Sequence, residues 1–262
     1  MKLAVAATGP FGASILKEIG ARREVEYLLT RPDRPKGRGR QLAAPPAKET
    51  AEALGLEVRQ PERLAGLELD VDAMLLVDYG ALIPSEQLEQ ALWLNVHPSL
   101  LPRWRGAAPV ERAIMSGDTE TGVSVIRLVE ALDAGPVGAV ESIEIGPDDD
   151  AGIVYGRAAE LAPGLVERVL EAQEFREQEG EAIYAEKIGP EDRLLDWSRP
   201  PKELHDRIRA LSPHIGARGE LHDRPVLVWR SRLGPQGLEV LEVQPEGGRR
   251  MTLDEFERGI RP

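Results

Sequence analysis

The chain has 262 residues, of which 42% are hydrophobic and 30% charged, and its formal net charge is −12 at pH 7. This composition predicts a globular protein with a large core and one or two domains. The lack of cysteine excludes disulfides and thiolate chemistry, and no apolar stretch approaches the roughly 20 residues that cross a bilayer. Because Gly9-Pro10 interrupts the first apolar segment, we interpret it as a strand rather than a signal peptide and expect a cytoplasmic protein.

The first part of the chain alternates between apolar runs of strand length and amphipathic segments of helical length. We predict strands at residues 2–7, 24–29, 71–77 and 91–97, with helices near 11–20, 46–55 and 84–92. This alternation is typical of an α/β fold with a Rossmann-like, mostly parallel sheet and helices on both faces. Ligands of such sheets bind outside the carboxyl ends of the strands.

The second part of the chain predicts a further helix, two strands and a separate small domain. We expect a helix at 108–116, strands at 122–128 and 137–145, and a long helix at 151–175. After a charged, glycine-broken segment, a helix at 201–211 and strands near 225–231 and 238–244 follow. The predicted organisation is therefore a first domain over 1–178, a linker over 179–195 and a second domain over 196–262.

Asn95 and His97 end the predicted strand at 91–97, and Asn95 is the only asparagine in the chain. Their spacing places both side chains on the same side of the strand. Two donors that converge on one point suit an oxyanion at a carbonyl carbon, and Asp133 in the turn LDAGP is a candidate carboxylate partner for the imidazole. Taken alone, an Asn-x-His pair is more typical of a turn cap and a hydrogen-bonded strand-end histidine.

A cationic segment lies within an otherwise acidic region. Residues 1–195 hold 21 basic and 34 acidic side chains, whereas residues 196–262 hold 12 and 11. The segment 31–48 has one acid, Asp33, and its cations are Arg31, Arg34, Lys36, Arg38, Arg40 and Lys48. A Pro/Gly/Arg-rich stretch is usually a solvated surface loop, but clustered cations are also what phosphate contacts require.

The segment NVHPSLLPRWRGAAPVERAIMSGDTETGVS at 95–124 resembles the signature of the folate-dependent formyltransferases. Within this family, the resemblance is closest to the members that act on methionyl-tRNA. It extends to the cationic segment at 30–48, to DYGALIP at 78–84, to YAEKI and LDWS within 184–198, and to LEVLEVQPEGGRRMTLDEFERG at 238–259. The resemblance therefore covers nearly the whole chain.

The resemblance implies a formyl transfer from 10-formyltetrahydrofolate to the amine of methionyl initiator tRNA by a monomer, without a metal. It implies that Asn95, His97 and Asp133 are catalytic. The folate would contact Tyr79, Gly80, Leu82, Ile83, Ser99, Leu100, Leu101 and Pro102. The tRNA would contact Arg31, Arg34, Lys36, Arg38 and Arg40. Two alternatives remain: a sugar-amine N-formyltransferase with the same cofactor, and a noncatalytic tRNA-binding relative.

Several positions depart from the family pattern. The family usually shows G-T-P-x-F after the first strand, where this chain has ATGPF at 7–11, and Asp78 stands where a small apolar residue is common. Val129 and Ala131 replace a usual Asp and Gly. Residues 196–262 are also shorter than the family's second domain, with the missing part between VWRSRLG and LEVLEV. We therefore expect a reduced domain, related to an OB-type β-barrel but not a complete one.

Overall fold

A computed structural model of the chain describes residues 1–36 and 41–260. The first ten elements mostly alternate between strands and helices, but one strand pair is inserted after the second strand and two later strands follow one another without a helix between them. They are β1 (Leu3–Ala7), α1 (Pro10–Gly20), β2 (Tyr27–Leu29), β3 (Arg34–Lys36), β4 (Gln41–Ala43), α2 (Pro46–Ala53), β5 (Glu57–Arg59), β6 (Ala73–Val77), α3 (Ser85–Leu88) and β7 (Leu92–His97).

The remaining elements include the longest helix and a group of longer strands. They are β8 (Arg105–Gly106), α4 (Pro109–Met115), β9 (Glu120–Arg127), β10 (Val137–Glu144), α5 (Ala151–Ala172), β11 (Tyr184–Ala185), a 3₁₀ turn (Glu191–Arg193), α6 (Pro201–Ala210), β12 (Ala217–Leu221), β13 (Arg224–Gly234), β14 (Gly237–Pro245), β15 (Met251–Thr252) and α7 (Leu253–Ile260).

Seven strands form the main sheet in the order β10-β9-β7-β6-β1-β2-β5. The five strands from β7 to β5 in this order pair in parallel, and β9 pairs antiparallel with β7. This confirms the predicted mostly parallel sheet. The register aligns Ala7 with Val77 and Leu76 with Asn95, so the carboxyl ends of β1, β6 and β7 meet at the same edge.

Apolar strand residues supply much of the core around this sheet. All five residues of β1 are buried, as are Leu28, Leu75 and Leu94 on three neighbouring strands. Each buried leucine contributes about 1.5–3 kcal/mol relative to an exposed one. Trp93 on β7 is also buried, and its indole N–H donates to the Gln87 carbonyl at 2.7 Å, which fixes the start of the strand that holds Asn95 and His97.

Antiparallel strands form a second sheet near the end of the chain. Its order is β12-β13-β14-β15, so β12 and β15 are the two edges and the described sheet is open. Gly234 and Gly237 pair across the β13–β14 turn, and this turn lies where the sequence predicts that a segment is missing. A hydrophobic cluster that includes Ile208, Val228 and Phe256 packs this region.

Two compact units divide the described chain, and each draws on separate segments. Unit 1 comprises Met1–Arg105, Gly122–Ser142 and Gly156–Ala182; unit 2 comprises Gly106–Thr121, Ile143–Tyr155 and Ile183 onward. In unit 2, α4 packs against α6, and Arg112 of α4 pairs with Asp192 at 2.8 Å. The predicted domain borders at 178 and 195 stay a prediction.

Several predicted elements differ from the structure in extent. The helix predicted at 84–92 ends at Leu88, because Leu92 already pairs with Ala73 in the sheet. Strands β3 and β4 occur within the segment that was expected to be a loop, with Pro35 opposite Leu42. The sequence patterns also did not reveal β5, β12 or α7.

Candidate active site

Asn95 and His97 lie on β7 at the carboxyl edge of the main sheet, and Asp133 lies beside both. The Asn95 amide donates from Nδ2 to Oδ1 of Asp133 at 3.1 Å. Nδ1 of His97 lies 3.6 Å from Oδ2 of the same carboxylate. Both strand residues are buried, with exposed fractions of 8% and 4%. The structure therefore brings together the three residues that were predicted to be catalytic.

The hydrogen bonds around His97 restrict where its protons can be. Nε2 lies 2.8 Å from the Trp104 carbonyl oxygen, and a carbonyl oxygen only accepts, so Nε2 carries a proton. Nδ1 faces the Asp133 carboxylate, which can share a second proton with the ring. Both ring nitrogens are thus engaged within the protein. Asn95 differs, because an amide has two N–H groups and its only hydrogen bond among the described residues is the one to Asp133.

Backbone conformations at this edge are unusual for residues other than glycine. Trp104 and Asp133 have φ values of 65° and 49°, in the left-handed region. Such conformations cost of the order of 1–3 kcal/mol and persist only where the surroundings impose them. Gly135 contributes to these surroundings near Asp133. It packs so closely against the Arg127 carbonyl oxygen that a Cβ at this position would collide with that oxygen.

Gln178 holds the turn that contains Asp133, and sequence reasoning missed it. Its Nε2 donates to the carbonyl oxygens of Asp133 and Gly135 at 2.7 and 2.8 Å. Its Oε1 accepts two hydrogen bonds from Arg105, at 2.6 and 3.1 Å. Gln178 therefore links the Asp133 turn to Arg105, the residue that follows Trp104. It lies in a charged segment without clear periodicity, so no sequence signal marked it.

The segment predicted to receive the folate ring follows β6. Tyr79 is buried, and its carbonyl oxygen accepts a hydrogen bond from the Thr8 hydroxyl at 2.9 Å. Burial raises the pKa of the Tyr79 phenol, and the charge and hydrogen bond of Arg31 oppose that rise. Gly80 has a φ of 76°. Leu82 is 83% exposed, whereas Ile83 is half-buried.

The predicted folate residues after β7 form a compact turn. Ser99 is fully buried, and its hydroxyl donates to the Arg103 carbonyl oxygen at 2.7 Å. Its own carbonyl oxygen accepts from the Ser124 hydroxyl at 2.7 Å, so Ser99 maintains the shape of the turn. Leu100, Leu101 and Pro102 are half-buried within it.

The residues predicted to bind nucleic acid divide into three groups. Arg31 is half-buried beside Tyr79, whereas Arg34 is exposed on β3 and Lys36 ends that strand. Arg38 and Arg40 lie outside the described residues. At the base of the segment, Lys48 pairs with Asp33 at 2.9 Å, and hydrogen bonds from Gln60 and Lys48 lower the pKa of Asp33.

Within residues 1–36 and 41–260, no cluster of three or more His, Cys, Asp or Glu side chains has the geometry of a metal site. No helix in this part of the chain is both long enough and apolar enough to span a bilayer.

Comparisons with known proteins show that the chain with this fold belongs to a class of group-transfer enzyme. The formyl transferase family matches residues 1–170, and the formyl transferase C-terminal domain matches residues 187–238. The chain belongs to the formyl transferase family.

Two relatives within this family, each matched over nearly its full length, are named methionyl-tRNA formyltransferase. The one from Neisseria meningitidis serogroup A is 36% identical over 99% of this chain and 97% of the relative. The one from Paracoccus denitrificans is 37% identical over 99% and 98%. A solved methionyl-tRNA formyltransferase from Clostridium thermocellum shares the fold with a TM-score of 0.67 and 16% identity, covering 94% of this chain and 98% of its own.

Other solved members of the fold carry different names. HypX from Aquifex aeolicus, in complex with tetrahydrofolic acid, has a TM-score of 0.70 and 17% identity, and the match covers 98% of this chain and 46% of HypX. The sugar 3N-formyl transferase WlaRD has a TM-score of 0.65 and 15% identity, covering 90% of this chain and 87% of its own. At these identities the likeness concerns the fold.

Proposed function

We propose that this chain transfers a formyl group from 10-formyltetrahydrofolate to the amino group of methionyl initiator tRNA, for translation initiation. The observation that carries the proposal is the Asp133 carboxylate, which contacts both Asn95 and His97 at the carboxyl edge of the sheet. The full-length relatives named methionyl-tRNA formyltransferase, at 36% and 37% identity, support the choice of acceptor.

The residues of this edge fit a formyl donor. One N–H of the Asn95 amide lacks a partner among the described residues and can donate to the formyl oxygen. The exposed Leu82 and the backbone of residues 79–83 offer an apolar surface and hydrogen-bonding groups for a pterin ring. The turn formed by Ser99, Leu100, Leu101 and Pro102 would bound the same site.

10-Formyltetrahydrofolate supplies the carbon that the amine attacks. Asn95 would stabilise the negative charge that develops on the formyl oxygen. His97 would contribute a positively charged ring when Nδ1 carries the proton that it shares with Asp133. The same pair would take up the proton that leaves the attacking nitrogen after the new C–N bond forms, and would return a proton to the departing folate nitrogen.

The acceptor assay tests this function directly. Purified protein is offered 10-formyltetrahydrofolate together with either methionyl initiator tRNA or nucleotide-linked amino sugars, and the formylated product is identified. We expect the methionyl-tRNA to gain the formyl group. Formylation of the amino sugar alone would instead favour the sugar-amine alternative, and binding of tRNA without any formyl transfer would favour a noncatalytic role.

The cationic segment would contact the tRNA backbone. Replacement of Arg34, Arg38 and Arg40 by Ala should weaken the use of methionyl-tRNA and flatten its salt dependence, because each phosphate contact contributes roughly 0.7–0.9 to the slope of log affinity against log salt. Tetrahydrofolate binding should persist. The matched control replaces three exposed arginines of the second sheet and its turns, Arg224, Arg230 and Arg249. A larger change of slope in the control than in the segment variant would contradict this role.

A further inference from the structure

A second carboxylate, that of Asp78, lies at the same edge of the main sheet. Asp78 directly follows β6 and has a φ of 48°, in the left-handed region. Among the described residues its carboxylate has no hydrogen-bond or ion-pair partner, and none of the roles described above uses it. A strained residue with an unpaired carboxylate at a ligand-binding edge is a candidate for contact with substrate.

Gly9 makes room for this carboxylate. Its backbone N–H donates to the Asp78 carbonyl oxygen at 3.3 Å, and a Cβ built on Gly9 would overlap Oδ2 of Asp78. Every other residue type would therefore displace the carboxylate from its position. The two departures from the family pattern, in the turn at 7–11 and at Asp78, thus meet in the structure and accommodate one another.

Asp78 lies at the carboxyl end of the strand that neighbours the one holding Asn95 and His97. Leu76 on β6 pairs with Asn95 on β7, and Asp78 is the second residue after Leu76. Adjacent strands are about 4.8 Å apart. The two carboxylates of this edge differ in what they contact, because Asp133 engages Asn95 through Oδ1 and His97 through Oδ2, whereas Asp78 remains available to a cation.

We propose that Asp78 binds the ammonium group of the acceptor and takes one proton from it, so that a neutral amine attacks the formyl carbon. This inference rests on the proposed function. The carboxylate becomes a carboxylic acid as the ammonium becomes an amine. The new C–N bond then forms, the formyl carbon's bond to the folate nitrogen breaks, and the second proton passes to that nitrogen. Asp78 afterwards returns its proton to solvent.

The proton affinity of Asp78 suits this step. Asp78 is exposed as a residue, and partial desolvation by the protein near its carboxyl group raises the pKa of Asp78 to about 6. An ordinary α-amino group has a pKa of about 8. Proton transfer from the ammonium group to Asp78 is therefore less unfavourable than transfer to a carboxylate with an ordinary pKa. Ionisable groups at the same edge of the sheet include His97, which ends β7, and Tyr79, which directly follows Asp78 and accepts a hydrogen bond from Arg31.

The pH dependence of Asp78→Asn distinguishes this role from a structural one. At pH 6.5 the acceptor amine is mostly protonated, and loss of the base should lower kcat/KM for methionyl-tRNA by about 10² or more. At pH 8.5 solvent has already deprotonated much of the amine, so the loss should shrink to several-fold. Tetrahydrofolate affinity should stay within about twofold, and Asp78→Glu should recover part of the activity. The exposed Glu89→Gln is the matched control.

Gly9→Ala provides an independent test. Its methyl group displaces the Asp78 carboxylate, so it should reproduce the pH-dependent loss while the carboxylate is retained. In an Asp78→Ala background, Gly9→Ala should lower kcat/KM only slightly further, because the carboxylate that its methyl group would displace is absent. An equal loss at both pH values, or a loss of folate affinity, would overturn the role of Asp78 and leave the proposed function intact. An inactive wild-type protein would overturn the proposed function, and this inference with it.

Discussion

The chain buries two histidines beside aspartates, and their surroundings differ. His97 ends a strand, with Asp133 at 3.6 Å and the Trp104 carbonyl oxygen at 2.8 Å. His205 lies within α6, where Nδ1 is 2.9 Å from the Ser231 hydroxyl and Nε2 is 3.0 Å from the Pro147 carbonyl oxygen. Asp148, at 3.4 Å from Nε2, completes a Ser–His–Asp set that resembles a catalytic group by composition.

The two histidine clusters differ in their backbone conformation and in the hydrogen-bonding groups that they can offer to a ligand. Around His97, Trp104 and Asp133 have left-handed backbones and Asn95 retains a donor. Around His205, the Pro147 carbonyl oxygen fixes the proton on Nε2, so Nδ1 accepts from the Ser231 hydroxyl, and Asp148 is 73% exposed. The residue types are similar, but only the first cluster combines backbone strain, a spare donor and a position at the carboxyl edge of a parallel sheet.

The sharpest test of this comparison is His97→Ala. We expect kcat/KM for formyl transfer to fall by about 10²–10⁴, as for a group that takes part in proton transfer and charge stabilisation. Far-ultraviolet circular dichroism should show an unchanged fold. His222→Ala removes an exposed histidine that lies 3.3 Å from Glu257 and is the matched control. Wild-type turnover in a folded His97→Ala protein would end the assignment.

Asp133→Ala should cost about 10² or more in kcat/KM, because it removes the partner of both Asn95 and His97. Combined with His97→Ala, it should add much less than its separate effect, since residues of one hydrogen-bonded network are not additive. Steady-state kinetics of the two single variants and the double variant provide the measurement. Strict additivity would mean that Asp133 acts independently of His97.

Local patterns could predict the central part of this site. The alternation of Asn95 and His97 within an apolar run indicated one side of a strand end, and the turn LDAGP indicated a loop that could present Asp133. Gln178 and the Gly9–Asp78 contact depend on residues 43–45 and 69 positions apart in the chain. No local periodicity encodes such contacts, because they arise only when the sheet brings distant segments together.

For the fold as well, elements with a clear local sequence pattern could be predicted, whereas elements that depend on distant pairing could not. Strands β1, β6 and β7 are strongly apolar and were predicted within two residues of their observed starts. The hairpin of β3 and β4 was missed because a Pro/Gly/Arg-rich stretch is typical of a solvated loop. Strand β12 was missed because ARGEL lacks β-branched and aromatic residues, and its pairing with β13 compensates for this weak propensity.

Gln178→Ala should reduce kcat/KM by about tenfold, because it leaves the carbonyl oxygens of Asp133 and Gly135 without their shared donor while every predicted catalytic side chain remains. A positioning role predicts that kcat falls more than KM rises. Gln173→Ala is the control, because Gln173 is an exposed glutamine just after α5. Unchanged kinetics would indicate that the Asp133 turn is held adequately by Gly135 and the left-handed backbone.

His205→Phe should have the smallest effect on catalysis and a clear effect on stability. The substitution preserves a buried ring but leaves the Ser231 hydroxyl and the Pro147 carbonyl oxygen without their partner, which costs about 1–3 kcal/mol in the free energy of unfolding. We expect a lower Tm and a kcat/KM within about threefold of wild type at temperatures where the variant is folded. A hundredfold loss of turnover with an unchanged Tm would show that a saturated histidine cluster also takes part in the reaction. It would therefore remove the distinction between the two histidines, because a spare donor and a strained sheet edge would no longer separate a catalytic cluster from a structural one.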